Sequence, residues 1–247
     1  MLTTAPWQEG APSGVFEQWV VALEFQPAWS QGKCDEAVAQ QLSGSFAATH
    51  LSVHGLWPNF EPAQHGGLLW PQFCVAAGSG GANYTSCDPA AGGRANGTIC
   101  EIEPATWAAF NGTSRGTWPT HNPEYAFGDL AAHEWAKHGS CSGLAQEPYF
   151  ALVEARALPL VSGTGGALVT SRVGGNASHA ELAAAFGADV NGKKVSFSCS
   201  DECALSDVWF ALDRATLAPI DCADPDSCLD KCAGGIHIID WDKDGCH

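Results

Sequence analysis

The hydrophobic pattern of the chain predicts four strands. Two apolar runs rich in β-branched and aromatic residues come first: residues 16–25, and residues 48–58, which run into a turn at Pro58. Two more runs of this kind lie near the C-terminus, at 194–199 and 207–213. Short runs of this composition, bounded by turn-forming residues, are typical of buried strands.

Four other segments have a helical pattern. They are residues 35–44, ending at Gly44; 126–138, terminated by Gly139; 148–160, opened by Pro148; and 179–188, ending near Gly187. Glycine after the last turn and proline in the first turn are common helix boundaries. The irregular alternation of strands and helices favours an α+β fold. We expect a central, mostly antiparallel sheet flanked by helices and stapled by disulfides.

No internal repeat or linker divides the chain. We expect a polar lead at 1–14, a single domain at 15–222, and a cysteine-containing extension at 223–247 with little regular structure. Residues 76–99, rich in Gly, Ala, Asn and Ser, predict a surface loop. The lead lacks the basic start and apolar stretch of a signal peptide, which indicates a trimmed or incomplete start.

The overall composition is that of a globular acidic protein. Hydrophobic residues make up 45% of the chain, charged residues 15%, and the formal net charge is −16 at pH 7. Such a surface repels nucleic acid at neutral pH. The nine histidines change this at lower pH, because most of them are protonated near pH 5. A polyanionic substrate therefore fits an acidic working environment.

Cysteine usage points to an oxidising compartment. The 11 cysteines lack paired CxxC spacing, which argues against a zinc ribbon and for a disulfide framework. An odd count leaves at least one thiol free or bonded elsewhere. Four N-glycosylation sequons agree with a secretory route, and they begin at Asn83, Asn96, Asn111 and Asn176. No run approaches the roughly 20 apolar residues of a membrane span, so we expect no membrane association.

The segment HEWAKHGSC, residues 133–141, concentrates ionisable chemistry in one place. On a helix its two histidines, glutamate and lysine fit within an arc of about 140°. Trp135 and Ala136 fall on the other side and can face the core. The segment therefore predicts a helix with one chemical face and one packing face.

Two other interpretations of this segment carry less weight. The zinc-protease motif HExxH needs histidines four residues apart, but Lys137 follows His133 at that spacing, and His138 comes one later. A lysine at a ligand position would be repelled by the metal, so we expect no metal site. An exposed amphipathic helix explains the polar face, but it leaves the tight Gly-Ser-Cys ending unexplained.

HGLWP, at residues 54–58, is the first motif along the chain, and HEWAKHGSC is the second. His54 precedes Gly55, which permits close backbone approach, and Trp57-Pro58 follows as a rigid aromatic turn. His54 as a structural residue and Trp57 as a core residue are the alternatives. Two histidines from separate segments are what acid–base catalysis of phosphoryl transfer requires, one to remove a proton and one to supply it.

Together the two motifs resemble the active-site segments of the ribonuclease T2 family of secreted acid endoribonucleases. Weaker similarity extends over roughly residues 19–222, including LWPQFC at 69–74 and the segment from VSFSC to IDC near the end. Phe25-Gln26-Pro27 departs from a Trp-Pro pair found in many relatives, and Leu130-Ala131-Ala132 lacks an aromatic common before the second motif.

The resemblance implies a role for each matching position. His138 would be the general base and His54 the general acid, and Lys137 and Glu134 would stabilise the transition state. His133 would bind the phosphate. For recognition of the RNA, Trp57 would stack on a nucleobase and Asn59 would contact the edge of that nucleobase. A disulfide would join Cys74 to Cys141.

The resemblance further implies cleavage of single-stranded RNA through a 2′,3′-cyclic phosphate, without metal or cofactor. DNA lacks the attacking 2′-hydroxyl and should not be cut. We expect a monomer, an optimum on the acid side of neutral, and a location outside the cell or in the vacuolar or lysosomal lumen. The alternatives are a secreted binding, storage or defence protein without turnover, and a glycan- or metal-binding disulfide protein.

Overall fold

The computed structural model describes residues 10–31, 42–61, 70–75, 84–87, 100–106, 108–109 and 130–245. Its strands are β1 (Gln18–Glu24), β2 (Ser52–Asn59), β3 (Gly175–Ala177), β4 (Ser196–Cys199), β5 (Leu205–Asp213), β6 (Pro219–Ile220) and β7 (Ile236–Ile238). Its helices are α1 (Gln26–Ser30), α2 (Leu130–Lys137), α3 (Gln146–Val161), α4 (Thr164–Ser171), α5 (His179–Asp189), α6 (Ser227–Lys231) and α7 (Trp241–Asp244). The predicted α+β fold with an antiparallel sheet is confirmed.

The main sheet has the strand order β2-β1-β5-β4, and β6 pairs with β5. All of these pairings are antiparallel. A separate two-stranded sheet joins β3 to β7. The strand predicted at 16–25 is β1, with all seven residues buried, so it forms the centre of the sheet next to β5.

One face of the main sheet packs against the helices. Alternate residues Val21 and Leu23 of β1 enter this core, where they join Leu56 of β2 and the helix residues Tyr149 and Phe150. The Tyr149 hydroxyl donates a hydrogen bond to the carbonyl of Leu56 at 2.9 Å. This contact ties α3 to the strand that carries the first motif.

The opposite face of the sheet has a small apolar cluster of its own. Val20 and Ala22 pack there with Trp57, and Trp209 of β5 lies against them. Because side chains alternate along a strand, the strand register also determines which other residues lie on this face. Glu24 of β1 and Asp207 of β5 are paired directly across the two strands.

The turn predicted at Pro58 is wrong, because β2 continues through it to Asn59. Pro58 pairs with Trp19 of β1. Within the described part of the sheet β2 is a terminal strand, and a proline is tolerated there because one side of the strand needs no backbone donor.

The helix predicted at 148–160 begins two residues earlier, at Gln146, so Pro148 lies within its first turn. The helix predicted at 179–188 is α5, which Ser178 opens with a capping box to Glu181. Most of the helix predicted at 35–44 and of the loop predicted at 76–99 lies outside the described residues.

The prediction of little regular structure after residue 222 is wrong. This segment forms α6, β7 and α7, and Ile236 and Ile238 are fully buried in the main core. Disulfides attach it to the β4–β5 region, and they join Cys199 to Cys228 and Cys203 to Cys232. The extension therefore belongs to the same hydrophobic core as the sheet.

Candidate active site

One cleft of about 210 Å³ collects the chemistry of both sequence motifs. Its walls come from the ends of β1 and α1, from β2, and from α2 with the turn after it. Every residue predicted to act in catalysis is on its surface. The cleft is lined by Glu24, Trp29, His54, Trp57, Trp70, Leu130, His133, Glu134, Lys137 and His138.

A β-bulge delivers His54 to the cleft. The register of β2 on β1 shifts between Ala22 and Leu23, opposite His54, which is left without a partner residue. In a regular strand, His54 would share a face with Leu56, which is buried in the core. The bulge shifts the alternation, so that Val53 faces the core instead and His54 is freed for the cleft side. Bulges commonly re-aim a side chain next to an active site.

Three carboxylates surround the His54 ring. Its Nδ1 lies 3.3 Å from Oδ1 of Asp207 and 3.7 Å from Oε2 of Glu24, and its Nε2 lies 3.6 Å from Oε1 of Glu134. Burial alone would lower the pKa of His54. The three negative charges and the Asp207 hydrogen bond outweigh burial and raise the pKa to about 10.

The surroundings of His138 are the opposite. The residue is 2% exposed, and its Nδ1 is buried without a hydrogen-bond partner among the described residues. Burial, followed by the positive charge of Lys137 and the neighbouring histidines, holds the pKa of His138 well below its ordinary value. Since Nδ1 is enclosed, proton exchange with a bound molecule falls to Nε2. His138 is thus a neutral imidazole set deep in the cleft.

Trp57 lies between these two histidines. Its ring centroid is 5.1 Å from that of His54 and 5.0 Å from that of His138. The centroids of the two imidazoles are therefore no farther apart than the sum of those distances. The two histidines, distant in sequence, meet at one cleft as predicted, although His138 is more recessed than a freely exposed side chain.

Glu134 is held from two sides. It is 1% exposed, and Trp57 Nε1 donates a hydrogen bond to its Oε2 at 2.5 Å. A Cβ atom on Gly55 would come within 2.5 Å of the same oxygen and of Trp57 Nε1. The glycine of HGLWP thus makes room for this contact. Burial raises the pKa of Glu134, while His54 and Lys137 oppose that effect.

The second motif forms α2 as predicted, with Trp135 and Ala136 buried in the core. The helix ends at Lys137, and His138 lies in the turn that follows. Its backbone N–H donates to the carbonyl of Glu134 at 2.9 Å. A Cβ atom on Gly139 would come within 2.5 Å of Trp135, which explains why glycine ends the motif.

His133 and Lys137 lie on one line of α2, four residues apart, and both line the cleft. His133 Nε2 is 4.0 Å from Oε1 of Glu134. Burial, with the charges of Lys137 and His54, lowers the pKa of His133 to about 3. His133 is therefore neutral at pH 7, and Lys137 supplies the positive charge on this wall.

A disulfide joins Cys74 to Cys141, as predicted, with an S–S distance of 2.07 Å. Alongside it, the backbone N–H of Phe73 donates to the carbonyl of Lys137 at 2.8 Å. Trp70, just before this junction, comes within 6.1 Å of His138 between ring centroids. The cross-link therefore brings a third segment of the chain to the cleft.

Asn59 is the predicted site residue that the structure does not bring to the cleft. It is 2% exposed, at the end of β2, and is not part of the cleft lining. Sequence reasoning missed Glu24, Asp207, Trp29 and Trp70 as site residues. Glu24 left a signal, because it is a lone carboxylate in an apolar strand, whereas Asp207 needed the register of β5 on β1.

Outside the cleft, Asn176 is the one predicted glycosylation site among the described residues, and it is exposed on β3. Asn83, Asn96 and Asn111 lie outside the described residues. Cys222 is the free cysteine of the described chain, and burial raises the pKa of its thiol to about 12. It is therefore an unreactive thiol at neutral pH.

Within the described ranges, no group of three or more His, Cys, Asp or Glu side chains has an arrangement that could hold a metal ion. Among the helices of the described chain, none is both long and apolar enough to cross a membrane.

The model of the ribonuclease T2 family matches residues 20–222. The chain belongs to this family. Membership makes it an RNA-cleaving endoribonuclease, and the matched range contains both motifs and every cleft residue named above. Residues 223–245 of this ribonuclease, which complete its core, lie beyond the matched range.

The fold of the ribonuclease is similar to several solved structures. An RNase-related protein from Calystegia sepium has a TM-score of 0.61 at 16% identity, covering 90% of this chain and 97% of that one. RNase NT in complex with 5′-AMP has a TM-score of 0.61 at 19% identity, covering 91% and 98%. Ribonuclease MC1 from bitter gourd seeds has a TM-score of 0.55 at 17% identity, covering 84% and 95%.

No curated protein sequence matches this ribonuclease. At identities this low, the solved structures support the fold alone. The roles of individual residues in the ribonuclease therefore rest on its own cleft geometry.

Proposed function

We propose that this ribonuclease cleaves single-stranded RNA by metal-independent transphosphorylation. The ribose 2′-oxygen attacks the adjacent phosphorus while His138 takes its proton at Nε2. The P–O5′ bond breaks, and His54 gives a proton to the departing 5′-oxygen. The products are a 2′,3′-cyclic phosphate and a free 5′-hydroxyl, and water can open the cyclic phosphate in a second step.

One observation carries this proposal. The two cleft histidines have pKa values shifted in opposite directions by their surroundings, His54 upward to about 10 and His138 downward. Two titratable groups whose environments separate their pKa values in this way suit an acid and a base. At neutral pH, His54 holds the proton to be donated, and His138 has the free nitrogen that accepts one.

The other cleft residues handle the charge on phosphorus. Lys137 stabilises the phosphorane-like transition state electrostatically. Glu134, held in place by the hydrogen bond from Trp57, helps to stabilise the same transition state. His133 binds the phosphate, whose negative charge offsets the lowering of the pKa of that ring by Lys137.

We assign the contacts with RNA bases to other residues than the sequence-based prediction does. Trp57 is 6% exposed and its N–H is engaged with Glu134, so it presents little ring surface to a base. Trp29 and Trp70 are only partly buried in the same cleft. They offer the aromatic faces on which bases of a single strand stack, and the position of Asn59 does not support a role in reading the base edge.

The test is cleavage of a dinucleotide such as UpA in the presence of a chelator. We expect a 2′,3′-cyclic phosphate by ³¹P NMR, and no cleavage of the 2′-deoxy analogue. His54→Ala and His138→Ala should each lose at least about 10²-fold in kcat/KM, the usual size of an acid–base contribution.

The matched control for these variants is His237→Ala, a histidine on β7 outside the cleft lining, which should keep wild-type activity. Near wild-type cleavage by either cleft variant would contradict the assigned roles. No cleavage by the intact protein would instead favour a binding or storage protein that keeps the fold.

We further propose that the protein works as a monomer in an extracellular, vacuolar or lysosomal compartment. The disulfides and the acidic surface support this location. Glycosylation at Asn176 is consistent with its exposed position in the sequon, and the other three sequons stay predictions.

A further inference from the structure

Two carboxylates face each other across the centre of the main sheet. Glu24 of β1 pairs directly with Asp207 of β5. Glu24 is 2% exposed, and the Asp207 side chain is 19% exposed. Like charges placed directly opposite on neighbouring strands are destabilising, so this pairing needs a compensating group.

The His54 ring is that group. The bulge in β2 places its Nδ1 at 3.3 Å from Oδ1 of Asp207 and 3.7 Å from Oε2 of Glu24. Both carboxylates therefore approach the same ring nitrogen, the one that the mechanism does not use. The other nitrogen, Nε2, faces Glu134 of α2 at 3.6 Å and the cleft.

We infer that Glu24 and Asp207 form a positioning pair for the general acid, binding Nδ1–H of His54 and so directing a protonated Nε2 toward the leaving 5′-oxygen. The inference rests on the proposed function, in which His54 is that acid. Neither carboxylate transfers a proton or contacts the reacting atoms. They fix the orientation and charge of the ring that does.

The charges around His54 support this arrangement. Besides the pair, α2 and the turn after it present Glu134, His133, Lys137 and His138 to the cleft. Glu134 is the one carboxylate in this second set, and Lys137 opposes it. Without the pair, His54 would lose two of the three negative charges that favour its protonated form. Its ring would then also be free to change tautomer.

The first experiment measures His54 directly by NMR of the histidine ring nitrogens as a function of pH. Glu24→Gln, Asp207→Asn and the double variant keep the side-chain size but remove charge. We expect the titration of His54 to move to lower pH in each single variant and further in the double variant. Glu202→Gln, an exposed carboxylate away from the cleft, is the matched control and should leave the titration unchanged.

The second experiment separates positioning of the acid from a general structural role. Cleavage of UpA needs a protonated leaving group, whereas uridine 3′-(p-nitrophenyl phosphate) has a leaving group that needs none. We expect the double variant to lose on the order of 10²-fold in kcat/KM on UpA, the lower end for an acid–base contribution, and to lose less than about threefold on the nitrophenyl ester. The alkaline limb of the UpA profile should move to lower pH, while the acid limb, set by His138, stays.

The outcomes are distinguishable. An unchanged His54 titration in the double variant, or equal losses on both substrates, would overturn the positioning pair. Full activity of His54→Ala would overturn the proposed function, and the NMR titration would still report on the pair.

Discussion

At the residue scale, the site contains two chemically identical imidazole groups in opposite electrostatic surroundings. Two imidazoles, each about 5 Å from one tryptophan ring between centroids, have pKa values shifted in opposite directions. The carboxylates around His54 raise its pKa, whereas burial and the charge of Lys137 lower the pKa of His138. The residue type alone gives both an ordinary pKa of about 6.5. The backbone positions of their neighbours determine which ring holds a proton at neutral pH and which is neutral, as the proposed acid and base require.

A pH profile follows from these shifts. His138 must be neutral, so kcat/KM should fall on the acid side only as the pH drops through its lowered pKa, below 6.5. His54 must be protonated, so the rate should fall on the alkaline side as the pH rises toward about 10. For a dinucleotide we expect a plateau that includes neutral pH, measured as kcat/KM between pH 4 and 11.

This plateau is broader than the acid optimum expected from sequence, because the carboxylates around His54 were not recognised as its neighbours. The control is His54→Ala, whose alkaline limb should disappear along with most of the rate. An alkaline limb below pH 8 in the wild-type protein would contradict the effect of the carboxylates on His54.

Sequence identified the reactive side chains but not their environment. His54, Glu134, Lys137 and His138 stand out by type and spacing, and the resemblance to the ribonuclease T2 family implies their roles. Glu24 and Asp207 escaped because they belong to strands 183 positions apart in sequence, and only the register of those strands places them on one ring. The resemblance implies a base-reading role for Asn59, but its burial at the end of β2 depends on the packing of the folded chain.

At the scale of elements, the main strands and long helices followed from hydrophobic periodicity. The bulge in β2 did not, because the extra residue is defined by its partner strand and leaves no mark in local composition. The strand through Pro58 likewise depends on the terminal position of β2 in the sheet. Short elements after residue 222 escaped prediction because tertiary burial of isoleucines and two disulfides stabilise them, where local propensity is weak.

The disulfide between Cys74 and Cys141 connects elements that form the cleft, so its loss should affect stability and activity together. Its 67-residue separation corresponds to about 4 kcal/mol of loop-closure entropy in the unfolded chain. We expect Cys74→Ser with Cys141→Ser to lower the free energy of unfolding by about that amount in urea titrations, and to lower kcat on UpA as Trp70 loosens from His138.

The Cys87–Cys100 pair provides the matched control. It closes a 13-residue separation, which corresponds to about 3 kcal/mol, and neither cysteine lines the cleft. Its double serine variant should lose stability but keep kcat in conditions where it remains folded. Equal loss of kcat in both double variants would contradict a specific link between the first disulfide and the cleft.

At the scale of the whole molecule, an acidic protein acts on an acidic polymer. The net charge of −16 at pH 7 repels long RNA, while Lys137 and the protonated His54 place positive charge in the cleft. The repulsion is long-ranged and grows with the length of the substrate. Catalytic competence at neutral pH and affinity for polymeric RNA are therefore separate properties of this chain.

Salt should reveal this separation. Raising the ionic strength at pH 7 to about 0.15 M, where the Debye length is about 8 Å, should lower the KM for long RNA relative to the KM for UpA. Most proteins that bind nucleic acid show the opposite trend, because they release counterions from phosphates. The ratio of the KM for long RNA to the KM for UpA should change less with salt at pH 5, where protonated histidines reduce the net charge. An increase of this KM ratio with salt at pH 7 would contradict overall repulsion between the protein and long RNA.

The two disulfides of the C-terminal segment should keep the protein assembled after cleavage by a protease. The exposed turn at 214–216 lies between the half-cystines of both bridges, Cys199–Cys228 and Cys203–Cys232. A peptide bond cut there would leave both fragments covalently joined, with the buried isoleucines of the tail still seated. Nicked molecules should therefore run as one band without reductant and as two bands with it, and in a digestive compartment they would remain assembled after the first cut.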